Sequence, residues 1–187
     1  MQDFVSVGRM GEVVVDGDVL LWRGRGLMSR MIATAGRSEY SHAGMAAWWH
    51  DELMCLEVRE FVGGRCVTLE SQVRKCSGRV DVYRLATQRR GDVSMATAVS
   101  EMKGFAGCEY GYLHLIRAAA IHAPVVRFWA NRKRGDNGTG PPFCSEAVDR
   151  AYLTAGLDLV PRLRGRLTEP ADISRSAALE YICTLRQ

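Results

Sequence analysis

Short, mainly apolar segments separated by glycine or charged turns follow one another along the first half of the chain. Such segments are typical of β-strands, whose side chains point alternately to the two faces of a sheet. Asp16-Gly17-Asp18 lies between two apolar runs, which predicts a strand pair near the N-terminus. The segments with strand character are residues 12–15, 19–22, 42–49, 53–61, 65–70 and 79–85.

The second half of the chain changes to helical spacing, in which apolar residues lie three or four positions apart. Asp92 can cap a helix over residues 93–105, and a further helix follows Pro142 and can end at Gly156. Other segments with helical character are residues 27–35, residues 115–122 and a short stretch after Pro170. The order of a helix, then strands, then helices favours the α+β class with a mostly antiparallel sheet.

The composition is that of a single globular domain. The 187 residues are enough to bury a core, and contents of 47% hydrophobic and 25% charged residues are ordinary for such a domain. We expect one domain over residues 1–187, of which residues 1–11 form a loose N-terminal lead-in. The net charge of +4 is mild, so no nucleic-acid partner is predicted.

Neither a signal peptide nor a membrane span is recognisable in the sequence. The first residues lack the basic region and apolar core of an export signal, and no apolar run is as long as a transmembrane helix. The six cysteines include no CxxC pair and no zinc-like spacing, so we expect reduced thiols, no metal site and no cofactor. These features predict a cytoplasmic protein without a membrane anchor, and export by another route stays open.

One cysteine stands at a position that favours a reactive thiolate. Pro141 and Pro142 forbid helix on their N-terminal side, and a helical apolar pattern begins at Ala147 and Val148. Cys144 is therefore expected at or just before a helix N-terminus, where free N–H groups and the helix dipole stabilise a thiolate. Cysteine is also common as a small buried hydrophobic residue, so this position alone does not establish a nucleophile.

A catalytic thiol needs a base, and His42 is the best placed of the four histidines. It begins a predicted strand and shares a face with Gly44 and Ala46, whose small side chains leave room for a ring. A structural histidine in the core would show the same pattern. The others lie in a polar turn or in an apolar helical run and are weaker candidates: His50, His114 and His122.

Glu57 is the candidate for the group that orients the base. The strand over residues 53–61 is largely apolar on both faces, and a carboxylate on a buried face must be paired or hydrogen-bonded. If this strand pairs with that of His42, Glu57 can reach the imidazole. Two alternatives stay open: Glu57 lies in water on an edge strand, or Glu70 takes the same role.

Four short motifs give the chain a resemblance to a known family. They are Gly17-Asp18-Val19-Leu20-Leu21, Ser41-His42-Ala43-Gly44, Tyr110-Gly111-Tyr112 and Phe143-Cys144-Ser145-Glu146. Together they resemble the circularly permuted branch of the NlpC/P60 cysteine-hydrolase superfamily, and within it the YiiX-like group. In that branch the histidine precedes the cysteine, as His42 precedes Cys144 here. The resemblance spans roughly residues 16 to 175.

The resemblance implies a papain-like α+β fold, in which a mostly antiparallel sheet or small barrel packs against helices. It implies Cys144 as the nucleophile, His42 as the base, and an acidic or polar group on the following strand, where Glu57 fits by order and register. Tyr110 and Tyr112 would then line the substrate cleft, although aromatic residues that pack a helix onto the sheet would show the same pattern. Relatives often carry Tyr-Asp-Tyr at these positions, so the resemblance assigns no role to Gly111.

The predicted activity is that of a Cys-His-Glu thiol hydrolase, which cleaves an amide or ester bond through a thioester intermediate. Its substrate would be a peptide- or acyl-containing small molecule or polymer. Two alternatives remain: a lipid acyltransferase with the same triad, and a non-catalytic binding or structural module of a phage or secretion assembly. Zinc binding by the three site residues ranks last, because no second close ligand pair accompanies them.

Overall fold

Seven strands form one sheet in the part of the chain that the structure, a computed structural model, describes, namely residues 3–24, 33–34, 37–111, 140–161 and 168–187. The strands are β1 (Phe4–Ser6), β2 (Val19–Arg23), β3 (His42–Trp49), β4 (Glu52–Arg59), β5 (Gly63–Thr68), β6 (Arg79–Leu85) and β7 (Leu179–Arg186). Their order across the sheet is β1-β7-β6-β2-β3-β4-β5. Neighbouring strands run antiparallel, except that β1 and β7 are parallel.

Helices cover both faces of the sheet. The described α-helices are α1 (Met10–Val13), α2 (Leu69–Lys75), α3 (Met95–Gly104), α4 (Cys144–Thr154) and α5 (Pro170–Ser174). Short 3-10 helices are formed by Val7–Arg9 and Thr87–Asp92. Among these helices, none has the length and apolar character that crossing a bilayer requires.

The sheet buries a separate apolar layer on each face. On one face, Leu21, Met45 and Val58 pack with residues of α3 and α4. On the other face, Leu20 and Cys55 pack with residues of α2 and the N-terminal segment. Successive residues of β2 and β4 therefore point into different layers, as the alternation of side chains along a strand requires.

The predicted α+β class with a mostly antiparallel sheet is confirmed. Strands β3 and β6 coincide with the predicted segments, and β4 ends at Arg59 rather than at residue 61. The helix predicted after Pro142 begins at Cys144. Most of the predicted helix over residues 27–35, and all of that over 115–122, lie outside the described residues.

Two predictions near the N-terminus are wrong. Residues 4–11 are not a loose lead-in, because Phe4–Ser6 forms β1 and pairs with the C-terminal strand β7. The segment before the Asp-Gly turn is not a strand either, since Met10–Val13 is helical. The first difference has a clear physical cause: the partner strand of β1 lies at the other end of the sequence, and local patterns do not reveal such pairing. The strand predicted over 65–70 is shifted by two residues, since β5 begins at Gly63 and α2 begins at Leu69.

Helix α4 is fastened to the sheet by a hydrogen bond from Tyr152. The hydroxyl of this fully buried side chain donates to the carbonyl oxygen of Gly17 at 2.7 Å. Gly17 has a positive φ of 82°, a conformation that glycine adopts without a steric penalty. The next residue, Asp18, accepts hydrogen bonds from Arg84 at 2.7 and 2.6 Å. The Gly-Asp pair thus joins β2, β6 and the helix that begins at Cys144.

Replacing the hydroxyl of Tyr152 tests this attachment. Tyr152→Phe should lower the free energy of unfolding by about 0.5–1.5 kcal/mol, because it removes one buried hydrogen bond and keeps the ring. Urea denaturation followed by circular dichroism would measure the change. Leu153→Ala is the matched control, because this side chain is exposed on the same helix, and its effect should stay within about 0.5 kcal/mol. Equal stability of Tyr152→Phe and the unaltered protein would contradict the assignment.

Candidate active site

Cys144 is the first residue of α4 and is held there by its flanking backbone. Phe143 before it has extended dihedral angles (φ −96°, ψ 177°) and gives the helix no side-chain cap. The hydroxyl of Ser145 donates to the carbonyl oxygen of Thr168 at 2.7 Å, which ties down the first turn. The first N–H groups of a helix lack partners within it, so Cys144 lies in a field that favours negative charge.

Gly111 holds the segment that leads to Cys144. Its N–H donates to the carbonyl oxygen of Pro142 at 3.0 Å. A Cβ atom at position 111 would lie only 2.2 Å from the carbonyl oxygen of Pro141, which is far inside contact distance. Only glycine therefore permits this approach, and this gives Gly111 a structural role that the motif comparison did not provide.

His42 is the first residue of β3 and lies beside the thiol of Cys144. The two side chains are close enough to interact electrostatically, and His42 as a whole is 8% exposed. The indole of Trp22 on the neighbouring strand packs edge-on against the imidazole, with ring centroids 5.0 Å apart. A Cβ atom at Gly44 would come within 3.3 Å of that indole, so the small residue leaves the room that was predicted for a ring.

Glu57 lies on β4 and contacts the imidazole from the other side. Its Oε2 is 2.5 Å from Nε2 of His42, and the residue is 2% exposed. Pairing of Met45 with Leu56 sets the register of β3 and β4 and brings His42 and Glu57 onto the same face of the sheet. Because Nε2 is engaged by Glu57, Nδ1 is the ring nitrogen left for the thiol.

Two arginines lie next to the second carboxylate oxygen of Glu57, and both are held by a glutamine. Arg65, its direct partner on β5, donates to Oε1 through Nε at 2.8 Å and also through Nη2. Nη1 of Arg59 lies 3.7 Å from the same oxygen. Both arginines also donate to Oε1 of the buried Gln72 on α2, at 3.2 and 3.0 Å. The buried carboxylate is thus neutralised and fixed on both sides.

These contacts set the protonation states of the pair. Burial disfavours the imidazolium, but the neighbouring Cys144 and Glu57 outweigh burial and raise the pKa of His42 to about 10. Burial also disfavours the carboxylate, but the hydrogen bonds and charges of His42 and Arg65 lower the pKa of Glu57 to about 2. Near neutral pH, Glu57 is therefore ionised and His42 carries a proton on both ring nitrogens.

The structure brings together Cys144, His42 and Glu57, and it places Glu70 and Tyr110 elsewhere. Glu70 lies exposed on α2 in an ion pair with Arg74 at 2.8 Å, away from the imidazole. Tyr110 is buried in the core layer that includes α4, as expected of a packing residue. Tyr112 lies outside the described residues.

Sequence reasoning missed Trp22, Arg65 and Gln72. The signal for Arg65 was present, because the glycine pair Gly63-Gly64 follows the strand of Glu57 closely, and a hairpin there would place the next strand beside Glu57. Its exact partner depends on the register, which pairs Glu57 with Arg65. Gln72 reaches the pair from a helix, and no local pattern points to that contact.

Comparison with protein families shows to which family the chain belongs. A family model described as "Permuted papain-like amidase enzyme, YaeF/YiiX, C92 family" matches residues 13–119, which is more than half of the chain. The chain belongs to this family. The matched segment of the C92 family model contains His42 and Glu57 and ends before Cys144. The relationship predicted from the four motifs is thereby confirmed.

A solved structure extends the similarity to almost the whole chain. The crystal structure of metalloprotein YiiX from Escherichia coli O157:H7, labelled DUF1105, matches with a TM-score of 0.62 at 16% sequence identity. The alignment covers 92% of this chain and 98% of that chain. At this identity the likeness shows the fold, and it supports the papain-like arrangement expected of the C92 family. The search of curated proteins found no match to the sequence.

Removing the charge of Glu57 tests its contribution to the fold. Glu57→Gln should lower the free energy of unfolding near neutral pH by about 2–4 kcal/mol, because the buried positive groups lose their carboxylate. The pKa of Glu57 is lowered from 4.5 to about 2 by folding, so its contribution is present above pH 4.5 and is lost as the pH falls towards 2. Chemical denaturation at a series of pH values would therefore show a difference that shrinks below pH 4.5.

Glu70→Gln is the matched control for this measurement. It removes an exposed carboxylate from an ion pair on α2 and should change stability by no more than about 0.5 kcal/mol. If both variants lost the same stability, or if the loss in Glu57→Gln did not depend on pH, the paired state of Glu57 would be contradicted.

Proposed function

We propose that this member of the C92 amidase family hydrolyses an amide bond through a thioester, with Cys144 as nucleophile, His42 as general base and acid, and Glu57 as the group that orients His42. The observation that carries the proposal is the 2.5 Å contact between Nε2 of His42 and the buried carboxylate of Glu57, and the thiol of Cys144 interacts electrostatically with the same imidazole. A nucleophile, a base and a third group that orients the base form the arrangement known from triad enzymes.

The first step is attack by sulfur on the carbonyl carbon of the substrate. A cationic neighbour and a helix N-terminus both favour the thiolate form of a cysteine, and Cys144 has both. The S–C bond forms as the carbonyl π electrons move to oxygen. Backbone N–H groups at the start of α4, that of Cys144 among them, can donate to this oxyanion.

The tetrahedral intermediate then releases the amine. The imidazolium of His42 donates its Nδ1 proton to the leaving nitrogen as the C–N bond breaks, and a thioester to Cys144 remains. Neutral His42 next removes a proton from water, which attacks the thioester and releases the acid. Glu57 accepts a hydrogen bond from Nε2 throughout, which keeps the imidazole in one orientation and stabilises its charged form.

The crystal structure similar in fold is described as that of a metalloprotein, but the donors here do not fit a metal ion. Within the described ranges, no group of three or more His, Cys, Asp or Glu side chains is arranged to hold one. At the site, Nε2 of His42 and Oε2 of Glu57 engage each other, and Arg65 occupies Oε1. The steps above therefore use only the residues of the chain.

Substitution of the two reacting groups tests the proposal. Cys144→Ala and His42→Ala should each lower the rate of amine release at least about 10³-fold, because neither attack nor proton transfer can then occur. The assay is amine release from a panel of N-acyl amino acids and short peptides, and circular dichroism checks that each variant is folded. Cys66→Ala is the matched control, because it removes a half-buried thiol on β5 and should leave the rate unchanged.

The same assay separates the alternative functions. A lipid acyltransferase would transfer the acyl group to an added acceptor and would release little free acid. A binding or structural module would show no thiol-dependent turnover with any substrate of the panel. Hydrolysis that persists in Cys144→Ala would overturn the assignment of the nucleophile.

A further inference from the structure

A cavity lies beside the imidazole, and apart from His42 its lining takes no part in the proposed proton transfers. Its volume is about 250 Å³, and its lining includes Ser41, His42, Arg59, Glu60, Gln72 and Lys75. Sites for drug-sized ligands are larger, about 300–1,000 Å³, so this cavity suits a group of the size of one or two amino acid residues. All of its lining residues belong to the described part of the chain.

The position of the cavity indicates which part of the substrate it would bind. His42 lines the cavity and also interacts electrostatically with Cys144, which does not line it, so a molecule that reaches both the thiol and the cavity lies beside the imidazole. In the proposed reaction the imidazolium gives its proton to the leaving nitrogen. The part of a substrate that lies along the imidazole is therefore the amine part, which leaves first.

The charges of the lining favour an anion. Apart from His42, the cavity is lined by two cationic side chains, Arg59 and Lys75, and by one anionic side chain, Glu60. The cations outnumber the anion, so the lining favours a ligand with negative charge, such as a carboxylate. A guanidinium also presents its N–H groups in a fork that fits a carboxylate.

Both Arg59 and Lys75 have N–H groups that can bind a ligand. Arg65 already occupies Oε1 of Glu57, and Arg59 only approaches that oxygen to 3.7 Å while it donates one hydrogen bond to Gln72. The side chain of Arg59 is 43% exposed, so its other N–H groups can serve a ligand. Lys75 makes no ion pair with any residue of the described ranges.

We propose that this cavity binds a carboxylate on the amine part of the substrate, so that the bonds cleaved are those of N-acyl amino acids or of the C-terminal residues of short peptides. Arg59 and Lys75 supply the positive charges. His42 forms one wall of the cavity, so the bound amine lies next to the imidazolium that donates the proton to it. This inference rests on the proposed function, because it takes Cys144 as the attacking atom.

Two alkylating probes that differ in one charge test the inference. N-bromoacetylglycine carries a carboxylate, and N-bromoacetylglycinamide is its neutral counterpart. In both, the thiolate displaces bromide and forms an S–C bond. Rates of alkylation at Cys144, followed by peptide mapping, give a ratio of the anionic to the neutral probe for each protein. The neutral probe corrects every variant for changes at the thiol or imidazole.

The ratio should change in opposite directions in two variants. Lys75→Gln should lower it about threefold or more, because one attractive charge is lost, and Glu60→Gln should raise it by a similar factor, because a repulsive charge is lost. Raising the salt concentration should lower the ratio in the unaltered protein. Arg89→Gln removes an exposed arginine that does not line the cavity, and it should leave the ratio unchanged.

The outcomes separate the two proposals. If both probes alkylate Cys144 in preference to the other five cysteines, and neither Lys75→Gln nor Glu60→Gln changes the ratio, the carboxylate site is overturned and the proposed function stands. If neither probe prefers Cys144, the proposed function fails and the carboxylate site fails with it. A preference for the anionic probe that is equal in all variants belongs to the charge of His42 alone and also overturns the carboxylate site.

Discussion

The carboxylate of Glu57 is the group on which the candidate site depends. A negative charge that is 2% exposed persists only if positive groups surround it, and otherwise it would take up a proton. The chain meets this requirement with three neighbouring strands: His42 from β3 contacts one oxygen, and Arg65 from β5 contacts the other. The register of these strands therefore fixes both the charge and the orientation of the imidazole, which is the condition for proton transfer to a thiol.

Helix α4 brings the thiol to this fixed imidazole. Its first turn is tied to Thr168 through Ser145, and its body is tied to the turn at Gly17 through Tyr152. The segment before it is pressed against Gly111 so closely that no side chain fits there. The motifs that resemble the family thus fall into two groups. Those with His42 and Cys144 supply the reacting atoms, and those with Gly17 and Gly111 fix the position of α4 on the sheet.

The parts of this arrangement that could be predicted from the sequence are those that local patterns determine. Two prolines followed by helical spacing located Cys144 at a helix N-terminus, and a carboxylate on an apolar strand face indicated that Glu57 needs a partner. Arg65 was not predicted, because its contact depends on the register of β4 and β5. Strand β1 was missed because its partner β7 lies at the other end of the chain. The burial of Tyr110 follows from packing, which an aromatic motif does not reveal.

The titration of His42 tests the central claim most directly. In protein labelled with ¹³C at the histidine rings, NMR spectra across pH follow each imidazole, and a His42→Gln variant assigns the signal. Coupling to Glu57 and Cys144 predicts that His42 stays protonated through neutral pH and loses its proton near pH 10, and that Glu57→Gln shifts the transition to lower pH. A transition of His42 near its ordinary value of 6.5, unchanged in Glu57→Gln, would contradict the account.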